Sequence, residues 1–168
     1  KTGLFEYLAI RAIKRAKGEP KRALVFLIIL TALASAILDN VTTILLAVPM
    51  TLVVCKQLNV SPVPFILSQV FASNIGGAST LVGDPPNIII ASRANLSFND
   101  FLVHMAPWVI VVMMVITPML VFMFRKELVN TAADRARIDK LDEKSYLKDK
   151  VLLKKSLFVL GAVMIAFV

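Results

Sequence analysis

Long apolar stretches separated by short polar or charged segments run along the whole chain. From 23 to 38 the chain is apolar apart from Thr31 and Ser35, a polar interruption follows at 39–43, and residues 44–55 are again mostly apolar. Residues 63–92 are apolar at both ends, and residues 101–124 are apolar almost throughout. A helix needs about 20 such residues to cross a bilayer. The hydrophobic content of 58% and the mean hydropathy of +0.79 exceed those of an ordinary soluble domain. The pattern predicts an all-α, polytopic membrane protein.

A polar, helix-breaking run occupies residues 73–87, between the two apolar ends of 63–92. It contains three glycines and a proline pair, which permit unusual backbone angles and remove helical hydrogen bonds: Gly76, Gly77, Gly83, Pro85 and Pro86. Backbone groups released at membrane depth are tolerated where they are buried in protein or line a watery or ion-filled cavity. We therefore expect one crossing with a non-helical middle, and such a broken helix is a candidate binding site.

The stretch 23–58 predicts a re-entrant hairpin with Asp39 and Asn40 at its tip, inside the membrane. At about 1.5 Å per residue each arm reaches some 20 to 25 Å, short of a hydrocarbon core of about 30 Å. Of the nineteen Lys and Arg residues, seven lie in 1–22 and ten in 125–155. A hairpin that returns to its own side places both clusters in the cytoplasm, as the positive-inside rule prefers, whereas a single crossing separates them.

The remaining segments complete a multi-pass arrangement in the plasma membrane. Residues 1–22 predict an amphipathic, basic helix in the headgroup layer, with the frayed end of a preceding span as the alternative. Residues 63–92 cross the bilayer, 101–124 cross back, and 125–155 form a charged cytoplasmic linker. Residues 156–168 are apolar but too few to cross, and we expect them to begin a further span of a larger protein.

Two carboxylates, Asp39 and Asp84, fall in the predicted membrane segments. A carboxylate at membrane depth costs a few kcal/mol, and the apolar stretches around these two contain no Lys or Arg to neutralise them. Both therefore indicate coupling to a cation, Na⁺ or H⁺, with no other cofactor. The structural alternatives are a helix cap at Asp39 and a turn residue that caps the second half-helix at Asp84.

Oxygen-bearing groups gather at the hairpin tip and at the break, and hard cations prefer oxygen ligands. The tip offers the side chains of Asp39, Asn40, Thr42 and Thr43, and the break offers carbonyl groups at 76–77 and 82–83. The ends of half-helices supply dipoles of either sign. The positive end of a half-helix that restarts near Asn87 can face an anionic or oxyanion substrate.

Residues 38–46 followed by 73–87 resemble the ion transporter superfamily. The resemblance covers roughly 3–125 and is closest to the branch of arsenite permeases, sodium/proton antiporters and the melanosomal P protein, which has a citrate transporter-like domain. It implies an inverted-repeat secondary transporter, usually dimeric, with a scaffold domain and a transport domain that moves like an elevator. This chain would hold one repeat, and the second repeat, with the other half of the site, would lie elsewhere in the same protein.

In the related dicarboxylate carriers the hairpin tip bears Ser-Asn-Thr and forms a sodium site with the glycine-rich break. Here Asp39 stands in place of the Ser, Asn40 matches, and Val41 replaces the Thr. The resemblance therefore implies ligands at Asn40 and at the backbone of 76–77, and an added acidic group as a proton or sodium carrier. The full set of predicted ion- or substrate-binding residues is Asp39, Asn40, Thr42, Thr43, Asn74, Gly76, Gly77, Thr80, Gly83, Asp84 and Asn87.

The predicted function is cation-coupled secondary transport, either arsenite or antimonite efflux or sodium/proton exchange. The alternatives are a di- or tricarboxylate symporter, an ion channel, and an intramembrane aspartyl protease, in whose Gly-x-Gly-Asp element Leu81 would replace the first Gly. We expect no enzymatic activity. The expected partners are a small ion or oxyanion, the second repeat, the lipid bilayer and a second copy in a homodimer, with no nucleic acid.

Overall fold

The structure, a computed structural model, describes Arg11 and residues 13–131. This part of the chain contains helices and no β-strand, which confirms the all-α prediction. Its main helices are α1 (Pro20–Ser35), α2 (Asn40–Leu58), α3 (Val63–Gly77), α4 (Pro85–Ala94) and α5 (Phe98–Met123). Both α2 and α5 are long and apolar enough to cross a membrane, with mean hydropathies of 1.8 and 2.3. The chain is a helical, polytopic membrane protein.

Several predicted segments lie wholly or partly outside the described residues. The first half of the predicted headgroup helix (1–22), most of the charged linker (125–155) and all of the final apolar run (156–168) belong to this group. In the described part of the first segment, Ile13 and Ala16 are buried in the same core as α1.

The predicted hairpin corresponds to α1, a turn at 36–39, and α2. Pro20 occupies the first turn of α1, where its missing N–H removes no helical bond. Asp39 is the N-cap of α2, and Asn59 ends this helix in the left-handed conformation with φ of 56°. With 19 residues, α2 is roughly 28 Å long, longer than the arm length assumed from the sequence. A helix of this length can cross the hydrocarbon core, so the length of α2 does not support a hairpin that turns back inside the membrane. The re-entrant hairpin stays a prediction.

The predicted break separates α3 from α4. The helix ends at Gly77, residues 78–84 form turns, and a new helix begins with the proline pair at its first two positions, where prolines are tolerated. After α4, Ser97 begins α5 with a capping box: its side chain accepts from the Asp100 N–H, and the Asp100 carboxylate accepts from the Ser97 N–H at 3.1 Å. This cap starts α5 at Phe98, three residues before the predicted position 101.

The start of α1 and the end of α5 lie together. Asn130 Nδ2 donates to the Gly18 carbonyl at 2.8 Å, and the buried Leu128 belongs to the same core cluster as Ile13. The described parts of the two basic segments, 13–22 and 125–131, therefore lie close to each other. This proximity agrees with a chain that enters and leaves the described region on the same side of the bilayer.

A buried amide connects the three central helices. Gln69 of α3 is fully buried; its Nε2 donates to Thr31 Oγ1 of α1 at 3.1 Å, and its Oε1 accepts from Thr51 Oγ1 of α2 at 2.6 Å. The same three helices supply most of the buried apolar core, including Leu24, Leu27, Ile28, Val54, Leu58, Phe65 and Ala72. Because the buried amide has a partner on each neighbouring helix, it fixes how α1 and α2 sit on α3.

Glycine brings α3 into backbone contact with α1. A Cβ added at Gly76 would meet the backbone of Ala32, with the Ala32 Cα only 2.6 Å away and the carbonyl oxygen closer still. Small residues permit this kind of approach between membrane helices. The glycines of the break therefore have a packing role in addition to any role in binding.

We predict that Gly76→Ala separates α1 from α3, because the atoms in the way belong to the backbone and cannot rotate aside. The expected cost is about 1–3 kcal/mol of stability, measured as a lower thermal unfolding midpoint of the full natural protein in detergent. Ser92→Ala, on the exposed side of α4, is the control and should leave the midpoint unchanged. Equal midpoints for Gly76→Ala and the natural protein would contradict the close approach.

Candidate functional site

The tip of the hairpin contacts the end of α3 through two asparagine side chains. Asn40 Nδ2 donates to Asn74 Oδ1 at 3.0 Å, and Asn74 Nδ2 donates to the Val70 carbonyl at 2.8 Å. These two bonds orient both amides, so that the Asn40 Oδ1 is left without a protein partner among the described residues. Two predicted site residues, 34 positions apart in the chain, are therefore brought together with an amide oxygen available.

Asp39 caps α2. Its Oδ1 accepts from the Thr42 N–H at 2.9 Å, and the residue is half-buried. The structural alternative considered for this residue is thus observed. A carboxylate has two oxygens that can accept several bonds, so capping leaves capacity for a cation. A role for Asp39 in ion binding stays a prediction.

The two threonines of the tip point to different places. The Thr42 side chain is exposed, whereas Thr43 is 3% exposed and its Oγ1 has no hydrogen-bond partner. Thr43 lines a cavity of about 120 Å³ between α1 and α2, together with Thr31 and apolar side chains. No other predicted site residue lines this cavity.

The break is closed by Asn87, the first residue of α4 after the prolines. Its Nδ2 donates to the Gly77 carbonyl at 3.0 Å and to the Thr80 carbonyl at 2.7 Å, so one side chain joins both sides of residues 78–84. The side chain is 7% exposed. Asn87 therefore holds the end of α3 against the start of α4.

Thr80 attaches the break to the end of α1. Its Oγ1 donates to the Ala36 carbonyl at 2.5 Å and accepts from the Gly83 N–H at 3.1 Å. A Cβ at Gly83 would lie 2.6 Å from the Ser35 carbonyl oxygen and 2.8 Å from the Gly77 Cα. The loop thus packs directly on the turn that leads into the hairpin tip.

Two of the four carbonyl groups expected to be bare, those of Gly76 and Gly77, are hydrogen-bonded. The Gly76 carbonyl accepts from Ser79 Oγ at 2.6 Å and from the Ser79 N–H at 3.0 Å, and the Gly77 carbonyl accepts from Asn87. In this structure both groups stabilise the break. That these two carbonyl groups coordinate an ion stays a prediction. The Gly76 carbonyl already accepts two hydrogen bonds, so it would have to lose one of them to bind an ion.

Asp84 stands at the N-cap of α4 without capping it. The residue has extended φ and ψ of −149° and 129°, it is half-buried, and its side chain makes no cap hydrogen bond. The structural alternative of a capping turn residue is therefore not what is observed. No Lys or Arg in the described part of the chain forms a salt bridge with Asp84 or Asp39.

Sequence reasoning missed two polar groups that hold the site in place. Ser35, fully buried, donates from Oγ to the Ser73 carbonyl at 2.7 Å, and Gln69 links the three central helices. The available signal was the same for both. Each is a polar residue inside an apolar stretch, one near the end of α1 and one in the flank before the break.

The fold combines a helical hairpin with a broken membrane helix. Together with the comparisons that follow, it places the chain in the class of membrane transporters. The family model described as a citrate transporter matches residues 1–168, so the chain belongs to the citrate transporter family. The predicted citrate transporter-like domain, and with it the ion transporter superfamily, is confirmed.

The curated relatives include proteins named as transporters or membrane proteins, and the P protein. The chain is 53% identical over 168 residues to an uncharacterized transporter of Mycobacterium tuberculosis, and 52% identical over 167 residues to a 46 kDa membrane protein of Mycobacterium leprae, covering 99% of this chain and 39% of each relative. It is 40% identical over 124 residues to the P protein of Homo sapiens, covering 71% of this chain and 15% of that protein. The chain thus spans well under half the length of these relatives.

We predict that Asn87→Leu loosens the break, because it leaves the buried Gly77 and Thr80 carbonyls without their donor. An unsatisfied buried acceptor costs about 1–3 kcal/mol. Hydrogen exchange of the backbone amides in residues 77–84, measured by mass spectrometry on the full natural protein, should accelerate. Asn99→Ala, at an exposed position in the first turn of α5, is the control. Unchanged exchange at 77–84 in Asn87→Leu would show that Asn87 does not hold the break.

Proposed function

We propose that this chain forms half of the ion and substrate site of a cation-coupled secondary active transporter. The contact between Asn40 and Asn74 is the observation that carries the proposal, because it joins the hairpin tip to the broken helix with an amide oxygen left over. Discontinuous membrane helices near the middle of a bilayer are the usual place of substrate and coupling-ion sites in secondary transporters.

Charge around the tip and the break favours a cation as one of the bound species. Asp39 and Asp84 are half-buried and without a basic partner in the described part of the chain. A Na⁺ or H⁺ taken from solution would neutralise such a carboxylate at membrane depth. The positive N-terminal ends of α2 and α4 also lie beside these residues, and each can attract an anionic substrate. A site for a cation and an anion together requires both features.

The leading substrates are arsenite or antimonite, or Na⁺ exchanged for protons. A second candidate is a di- or tricarboxylate carried in symport with the cation, and the description of the matching family as a citrate transporter favours it. The P protein relative supports neither choice, since its name does not state a substrate. Citrate therefore belongs among the solutes that test the proposal.

The rest of the mechanism follows from the same proposal. The second half of the site comes from a second repeat of the same protein, the carrier is a homodimer in the plasma membrane, and residues 1–22 and 125–155 face the cytoplasm. The contact between Asn130 and Gly18 supports a common side for these two segments. Transport proceeds by an elevator-like movement of the domain that contains the tip and the break.

The test of the proposal is transport by the full natural protein in proteoliposomes that contain a pH-sensitive dye. Sodium, arsenite, citrate and dicarboxylates are supplied in turn. A saturable proton flux driven by one solute supports a coupled carrier and identifies its substrate class. A flux that does not saturate and needs no second gradient indicates a channel instead.

We predict that Asp39→Asn abolishes ion coupling and leaves a folded protein in the membrane. Asparagine caps a helix as well as aspartate does, so the substitution removes the charge and keeps the cap of α2. Asp100→Asn, in the cap of α5, is the matched control and should transport normally. Asp39→Ala should lose coupling and also about 1 kcal/mol of stability. Coupled flux at the natural rate in Asp39→Asn would remove this residue from the ion site.

We predict that Asn40→Ala weakens ion binding by about tenfold, which corresponds to one lost ligand or hydrogen bond. The measurement is the concentration of coupling ion that gives half-maximal flux. Gln57→Ala, near the other end of α2, is the control for an amide removed from the same helix. A half-saturation concentration that does not change in Asn40→Ala would exclude Asn40 as a ligand.

A further inference from the structure

An apolar groove runs between α1 and α5 on the surface of the molecule. Its wider part has a volume of about 540 Å³ and is lined mainly by residues of these two helices, with Gly76 and Ser79 at the edge of the break also contributing. The lining residues used below are Ile29, Leu33, Ile110, Met114, Thr117 and Pro118. Thr117 and Pro118 also line a second part of about 420 Å³, which continues toward Lys21, Phe122 and Arg125. We call the two parts together the α1–α5 groove.

The α1–α5 groove is basic at one end only. Lys21 and Arg125 line this end, and both are exposed. The Arg125 guanidinium lies 4.4 Å from the centre of the Phe122 ring, so its charge is held over the apolar wall. Arg22 is adjacent but already paired with Glu19 at 2.7 Å. Lys21 and Arg125 therefore supply the positive charge that faces the groove.

The length of the α1–α5 groove matches one leaflet of a bilayer. From Lys21 to Ala32, α1 rises about 16 Å, and one leaflet contributes roughly half of a hydrocarbon core of about 30 Å. The basic end lies where the start of α1 meets the end of α5. The described parts of the two basic segments, 13–22 and 125–131, lie at this end, which the proposed topology places in the cytoplasm. The cytoplasmic leaflet is the one that carries anionic lipids.

We propose that the α1–α5 groove binds an anionic phospholipid of the cytoplasmic leaflet. One acyl chain lies between α1 and α5, and the phosphate group is bound by Lys21 and Arg125. A long apolar groove with two basic side chains at one end is complementary to an acyl chain with a phosphate at one end. A membrane helix of the same protein could fill the apolar groove without any need for the two charges. The proposal is independent of the transported substrate.

The test is native mass spectrometry of the full natural protein in detergent with phosphatidylglycerol or phosphatidylcholine added. The natural protein should retain phosphatidylglycerol in preference. Lys21→Gln/Arg125→Gln should weaken its retention by roughly 30-fold, about fivefold for each basic side chain. Lys56→Gln/Arg93→Gln removes the same charge from the ends of α2 and α4, away from the α1–α5 groove, and should have little effect.

A second variant tests the acyl chain without changing charge. Ile29→Trp places an indole in the wider part of the groove and should displace phosphatidylglycerol, with Met114→Trp on the facing helix as a replacement if the first does not fold. Equal retention of the two lipids by the natural protein would overturn the proposal. So would equal losses in the two double variants, or full retention in a folded tryptophan variant, which would mean that another part of the protein covers the groove.

Discussion

The approach of the α3 backbone to the α1 backbone at Gly76 is the constraint on which the rest of the described structure depends. No residue with a side chain fits there without moving Ala32. Because the two helix backbones touch at Gly76, the end of α1 lies within hydrogen-bond distance of the end of α3 and the break. Ser35 donates to the Ser73 carbonyl, and Thr80 donates to the Ala36 carbonyl. The turn that follows α1 then carries the hairpin tip to Asn74.

In this arrangement the polar groups of the break can either stabilise the loop or bind an ion, and the two roles compete. A carbonyl that closes the loop is less available to an ion, and the Gly76 and Gly77 carbonyls both have donors. Among the side chains, the carboxylate of Asp84 and the amide oxygen of Asn40 remain uncommitted, and capping leaves the carboxylate of Asp39 with further capacity. Ion binding by these side chains does not require the Gly77 carbonyl to release its donor, so Asn87 can keep the loop closed.

Much of the fold follows from local sequence signals. Pro85 and Pro86 start α4 close to the restart predicted near Asn87, and Asp39 caps α2, which is the structural alternative that the sequence offers for this residue. The start of α5 differs from the prediction, because the Ser97 cap begins this helix three residues before position 101. The contacts of Gln69 could not be predicted, since they depend on how three helices pack. The same is true of the bonds to the glycine carbonyls, because a broken helix predicts released backbone groups without showing which side chains satisfy them. The α2 helix is longer than the sequence predicted. Residues 40–43, which the sequence pattern assigned to the hairpin tip, form the first turn of this helix.

The central claim, that Asn40 and Asn74 act together at an ion site, is tested most directly by a double-mutant cycle on cation binding. Sodium is titrated calorimetrically into the full natural protein, Asn40→Ala, Asn74→Ala and the double variant. Residues in direct contact show coupling energies of about 0.5–3 kcal/mol, so the account predicts that the double variant binds little worse than either single one. Two losses that simply add, or sodium binding that neither substitution changes, would contradict the account.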